Sequence, residues 1–190
     1  VFAKDTNGDW IQSQKIEAPA TESIYVNYYF GHKVVVSGNY LLVATAMTAQ
    51  VQAAGTLVHI YKNNGSGVWQ YHQKITVPPT YNFTTRDIAF DGNYIALGGE
   101  IQSGANEAVF VFEKDGNEVW SFKQAMTDPD TVRTTFFGRS VSISGDLLAV
   151  GSPNNSANEL DTDLVAGTGA VYLYKRDPNG TWTKQQKIVA

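Results

Sequence analysis

Glu159-Leu-Asp-Thr-Asp163 places three carboxylates within five residues. Oxygen donors that close can converge on a hard cation such as calcium if the loop folds back, although a solvated acidic loop is the commoner outcome. Asp5-Thr-Asn-Gly-Asp9 also opens like a calcium loop. There, however, Gly8 sits at the fourth position and Ile16 falls where a bidentate Glu would close the cage, so a plain hairpin turn is expected. His32, Arg86 and Arg139 hold equivalent positions in a repeating segment, and three such side chains around one mouth could hold an anion. The competing expectation is that each lays its stem over core and reaches water with its head. Tyr25, Tyr28 and Tyr29, with Tyr81 and Phe83, crowd two links between repeats. Exposed there, they would suit sugar or protein contacts; packed, they would be core. No set of residues has catalytic spacing. His59 and His72 fall on different strand types, and no nucleophile elbow, His-Glu-x-x-His motif or phosphate loop occurs.

Behind these residues stands a chain of 190 residues, 43% hydrophobic and only 17% charged, rich in Tyr, Phe, Val, Thr and Gly. That composition supports a sizeable β core and argues against disorder. A net charge of −4 gives no basic surface for nucleic acid. There is no cysteine, which excludes disulfides and thiolate metal sites. No stretch of about 18 apolar residues is present to span a membrane. The sequence opens at Val1 without a Met or a leader pattern, and is expected to be a piece of something longer. Asn64, Asn82, Asn154 and Asn179 each open an Asn-x-Ser/Thr sequon in a predicted turn or loop, which gives weak support for a secreted glycoprotein.

Self-similarity is the strongest signal. Trp10-Ile-Gln-Ser-Gln-Lys-Ile16 returns as Trp69-Gln-Tyr-His-Gln-Lys-Ile75 and Trp182-Thr-Lys-Gln-Gln-Lys-Ile188, and more loosely as Trp120-Ser-Phe-Lys-Gln-Ala-Met126. Ser37-Gly-Asn-Tyr-Leu-Leu-Val43 returns as Asp91-Gly-Asn-Tyr-Ile-Ala-Leu97 and Ser144-Gly-Asp-Leu-Leu-Ala-Val150. Each period of roughly 53 residues holds four strands, A to D. In the last copy they fall at Ser140–Ser144, Leu147–Ser152, Ala170–Lys175 and Trp182–Val189. B and C are nearly continuous apolar runs, as in strands covered on both faces, and D alternates like an outer edge. Gln14, Gln73, Gln124 and Gln186 fall on the Trp-bearing face of D and are expected to be hydrogen-bonded links. The fold class is therefore all-β, a β-propeller of four-stranded antiparallel blades with about three and a half blades in this chain. The half-blade is expected over 1–18, and the blades over 30–77, 84–126 and 136–190. One such sheet cannot cover its own faces, so further blades must come from missing chain or from a second copy. A symmetric pair of copies would total seven.

The run Phe137-Gly-Arg-Ser-Val-Ser-Ile-Ser-Gly-Asp-Leu-Leu-Ala-Val-Gly-Ser-Pro153, followed by Gly169-Ala-Val-Tyr-Leu-Tyr174, resembles the FG-GAP repeat. Phe30-Gly31 also matches, whereas Thr84-Thr85 replaces Phe-Gly in the middle copy. The resemblance implies a seven-bladed ring of the kind found at the head of integrin α chains, and an extracellular adhesion or ligand-binding role. Many relatives carry a calcium loop between strands A and B. The tight A–B turns here have no room for one, which leaves Glu159, Asp161 and Asp163 as the calcium candidates. The leading expectation is a non-enzymatic binding or adhesion module that uses the D–A and B–C loops of one face to take protein or carbohydrate. The others are a structural subunit that assembles with itself or other chains, and an enzyme with a site shared between blades.

Overall fold

Tight turns between successive apolar segments leave sequential antiparallel pairing as the simplest way to satisfy the backbone. The computed structural model, which describes residues 1–19, 29–45, 57–101, 106–129, 135–156, 158 and 168–189, adopts that pairing. A two-stranded ribbon, β1 (Phe2–Lys4) and β2 (Trp10–Gln12), comes first. Three four-stranded sheets follow, each in chain order. The first is β3 (Phe30–Ser37), β4 (Tyr40–Thr45), β5 (Leu57–Asn63) and β6 (Trp69–Thr76). The second is β7 (Phe83–Phe90), β8 (Tyr94–Ile101), β9 (Asn106–Lys114) and β10 (Trp120–Thr127). The third is β11 (Ser140–Ser144), β12 (Leu147–Ser152), β13 (Ala170–Arg176) and β14 (Trp182–Val189). Apart from one turn of 3₁₀ helix at Pro79–Tyr81, the regular structure among the described residues is all strand.

The sheets pack face on face. One buried cluster joins Leu42, Ile60 and Ile75 of the first sheet to Ile95, Phe110 and Trp120 of the second. Another joins Ala96, Val111 and Met126 of the second to Leu148, Tyr172 and Trp182 of the third. The first strands lie side by side at the inner edge. There Asp87 on β7 takes Lys33 of β3 at 3.5 Å and accepts the Val141 N–H of β11 at 3.0 Å. This is a fan of sheets, a β-propeller-like arrangement, and the middle sheet shows what a neighbour on either flank does. Its β8 and β9 are buried on both faces, whereas β12 and β13, equally apolar in sequence, alternate buried and exposed because their far face is uncovered.

The outer strand of each four-stranded sheet contains a bulge, at His72, Lys123 and Gln185. One extra residue reverses the side-chain parity beyond it. This corrects the expectation that the Gln residues share a face with the Trp residues. Trp69 packs towards Leu41, Val43 and Tyr61 on the face that looks back along the chain. Gln73, past the bulge, looks forward and reaches the second sheet. Its amide donates to the Trp120 carbonyl at 2.7 Å and accepts the Trp120 N–H at 2.9 Å. Gln124 does the same to Trp182, and Gln14 to Trp69. Each of these Gln residues therefore clamps the backbone where the next outer strand begins.

The hairpins joining third to fourth strands are closed by a side-chain oxygen. Oδ1 of Asp5, Asn64, Asp115 and Asp177 each accepts two backbone N–H groups of its own turn. Asp5 thus organises a hairpin, as its alignment with the other turns predicts. The position with left-handed backbone in these turns is Gly8, Gly67 and Gly180, but Glu118 (φ 63°) in the second sheet. A side chain there reaches the preceding sheet. The Glu118 carboxylate accepts the Tyr40 hydroxyl at 2.6 Å and pairs with Lys62. The Lys62 and Tyr40 hydrogen bonds hold its carboxyl at about 2, below the ordinary 4.5, while burial first and Glu118 second push the Tyr40 hydroxyl up to about 12. A depressed carboxyl stabilises the fold above its unfolded value. The contribution is present in full above pH 4.5 and is lost as the pH falls from there through about 2. Glu118→Gln is accordingly expected to lower the melting temperature at neutral pH and to lose nothing further on that account in acid. Melting curves of the two proteins that stay parallel from neutral pH to 2 would contradict this.

Candidate recognition surfaces

The first strands begin, and the second strands end, at one end of the fan. Tyr29–His32 and Phe136–Arg139 form the same turn there. In each, the first residue is left-handed (Tyr29 φ 43°, Phe136 φ 57°) and its carbonyl accepts the N–H of the fourth at 3.0 Å. Each turn thereby carries an aromatic residue at its first position and a nitrogenous side chain at its fourth. Tyr29, His32 and Arg139 are exposed, and the Arg139 guanidinium lies 5.9 Å from the Phe136 ring centre.

Arg86 departs from the expected trio. It occupies the bulge of β7 and forms a two-pronged ion pair with Glu100, at 2.9 and 2.8 Å, whose carboxyl it holds below the usual range. A guanidinium already bridged to a carboxylate is a poor anion ligand, so a three-cation bowl is not formed. Tyr81 and Phe83 likewise leave the list of exposed ligand contacts. Their rings pack edge-on to Phe110 at 4.8 and 4.6 Å, and Phe83 is buried. Phe83 does in the second sheet what Phe137 does against Tyr172 in the third. The register of β7 takes in one extra residue at Arg86 where that of β3 takes in two between Phe30 and Lys33, and the ring comes from Phe83 and not from the Thr84 position that spacing indicated. Tyr25, Tyr28, Glu159, Asp161 and Asp163 lie outside the described residues. Asn64, Asn154 and Asn179 are exposed in turns, and Asn82 is half-buried with φ 42°.

Glu107 has a role that sequence reasoning missed. It is buried on β9, and its carboxylate accepts the N–H groups of Thr135, Phe136 and Phe137 at 3.2, 2.8 and 3.0 Å. One acid of the second sheet thereby holds the Phe136 turn that leads into the third. Nothing in its neighbourhood on the chain marks it, because the donors lie some thirty residues on.

Beside the ribbon opens a cleft of about 470 Å³, lined by Gln12, Ile16, Phe30, Val34, Val36 and Val43 among others. Val34 and Val36 are exposed there. The ribbon supplies only the outer pair of strands that would face them.

Residues 120–174 match the family model of the FG-GAP repeat. The match starts at β10 and runs through β13, so it spans the junction between the second and third sheets. A search of curated proteins finds no match to the chain.

Proposed function

We propose that the whole chain, and not residues 120–174 alone, is an array of FG-GAP-type blades acting outside the cell as a non-enzymatic binding module. The reading takes the end of the fan bearing Tyr29, His32, Phe136 and Arg139 as its recognition face. What supports it is the twice-built turn that sets an aromatic residue three positions before a nitrogenous one, with Tyr29, His32 and Arg139 exposed and the half-buried Phe136 ring 5.9 Å from the Arg139 guanidinium. Aromatic faces stack on sugar rings, and a guanidinium beside them adds an anion contact, so acidic glycans fit this chemistry best. Tyr29→Ala and Arg139→Ala should each weaken binding on an array of neutral and acidic glycans by about tenfold, with melting temperature unchanged. Binding that both variants retain would move recognition elsewhere, and turnover of any arrayed glycan would replace a binding role with a catalytic one.

A second reading, a structural subunit that assembles with itself, is favoured by the uncovered flanks of the fan. Trp10 and Phe2 at one end and Leu147 at the other are exposed, while their counterparts inside the array are buried or half-buried.

A further inference from the structure

The junctions inside the chain are built alike. At the two between full sheets, the forward-looking Gln73 or Gln124 clamps the backbone of Trp120 or Trp182. The residue opening the second strand meets the same Trp ring edge-on, Tyr40 on Trp120 at 4.9 Å and Tyr94 on Trp182 at 5.6 Å. An apolar side chain two residues past the Gln, Ile75 or Met126, is buried, at 3% and 6% exposure.

The first and last sheets carry the two halves of this joint, and among the described residues no other sheet is seated on them. On the last sheet, Gln186 stands opposite Leu173, as Gln73 stands opposite Ile60 and Gln124 opposite Val111. Leu147 takes the place of Tyr40 and Tyr94 and is 60% exposed, and Ile188 takes the place of Ile75 and Met126 and is 42% exposed. At the other end, Trp10 is 67% exposed, against 2% and 3% for Trp120 and Trp182, and Phe2 is exposed beside it. The Asp5 N–H donates to the Asp9 carbonyl and the Ser13 N–H to the Val1 carbonyl. By the alternation of an antiparallel ladder, the N–H and C=O of Trp10 therefore point away from β1, the orientation in which a Gln amide can bracket them.

We propose that copies of this chain join head to tail, with Gln186, Leu147 and Ile188 of one copy seated on Trp10 and Phe2 of the next. The proposal rests on the assembly reading above and specifies its contact. The two surfaces differ, so the contact is heterologous, and it repeats until a ring closes or an open row results. The second copy is the occupant because it carries both the Trp backbone and the flanking aromatic that the open Gln face matches, in the arrangement the chain already uses at its own junctions.

Sedimentation of the full chain tests this with two variants at exposed positions. A tail variant combines Leu147→Glu and Gln186→Glu; a head variant combines Phe2→Glu and Trp10→Glu. The wild-type chain is expected to associate, and each variant alone to sediment as a monomer with its association weakened at least about tenfold. An equimolar mixture of the two variants is expected to form a dimer and stop there, because one good head meets one good tail. Unchanged circular dichroism and melting establish that the variants fold. A wild-type chain that stays monomeric up to roughly 100 μM overturns both the joint and the assembly reading. Association that persists in the tail variant, or a mixture that stays monomeric, overturns the joint alone.

Discussion

Trp120→Ala is expected to destabilise the fold by about 3–5 kcal/mol, and Trp10→Ala by less than about 0.5 kcal/mol, when both are measured by urea unfolding at low protein concentration. The two residues open equivalent outer strands, so the difference isolates what a neighbouring sheet contributes. Trp120 is almost wholly buried, with Tyr40, Phe90 and His72 around its ring at 4.9, 5.9 and 6.1 Å. The Lys114 ammonium stands 5.3 Å from the ring centre. Removing the indole leaves a cavity between two sheets whose flat faces cannot close over it. Trp10 meets the Lys4 ammonium at 5.5 Å and is 67% exposed. Equal losses for the two substitutions would show that the indole stabilises its own strand and not the junction.

Glu107→Ala should cost about 3–5 kcal/mol by the same measurement, because it strips the acceptor from three backbone N–H groups in a mostly buried turn. The turn also holds Phe136 left-handed (φ 57°), a conformation a non-glycine residue keeps only when its surroundings enforce it. Amide exchange at Phe136 and Phe137 is therefore expected to speed up more than elsewhere in the third sheet. Glu107→Gln, which keeps one carbonyl acceptor but turns an amide donor towards the others, should fall between the two. A loss below about 1 kcal/mol for the alanine variant would mean that water replaces the carboxylate without penalty.

The strands were readable because the repeats impose one pattern several times over. Ser140–Ser144, Leu147–Ser152 and Trp182–Val189 appear at the expected bounds, and the third strand of that sheet runs one residue further, to Arg176. The bulges were not readable, since an inserted residue in a polar outer strand leaves no trace in composition. Yet they decide which way Gln73 and Gln124 face, and with it how the sheets are tied. Arg86 and Phe83 illustrate the same limit on the inner strand. The alignment of Arg86 with His32 and Arg139 says nothing of its partner Glu100, and the alignment of Thr84 with Phe30 and Phe137 misses that Phe83 supplies the core ring, because β7 shifts its register by one residue where β3 shifts by two. Glu107 escaped notice because an acid at the start of an apolar run looks like an edge residue until its distant donors are placed around it.

The ribbon β1–β2 bears on arithmetic. It is an outer pair, and a second copy brings another outer pair, so the two cannot make the inner and outer halves of one blade. Each copy instead occupies four angular places, three filled and one half-filled. In the head-to-tail row proposed above the ribbon therefore stays a half-blade, and completing it takes an inner pair of strands that the copies do not supply to one another.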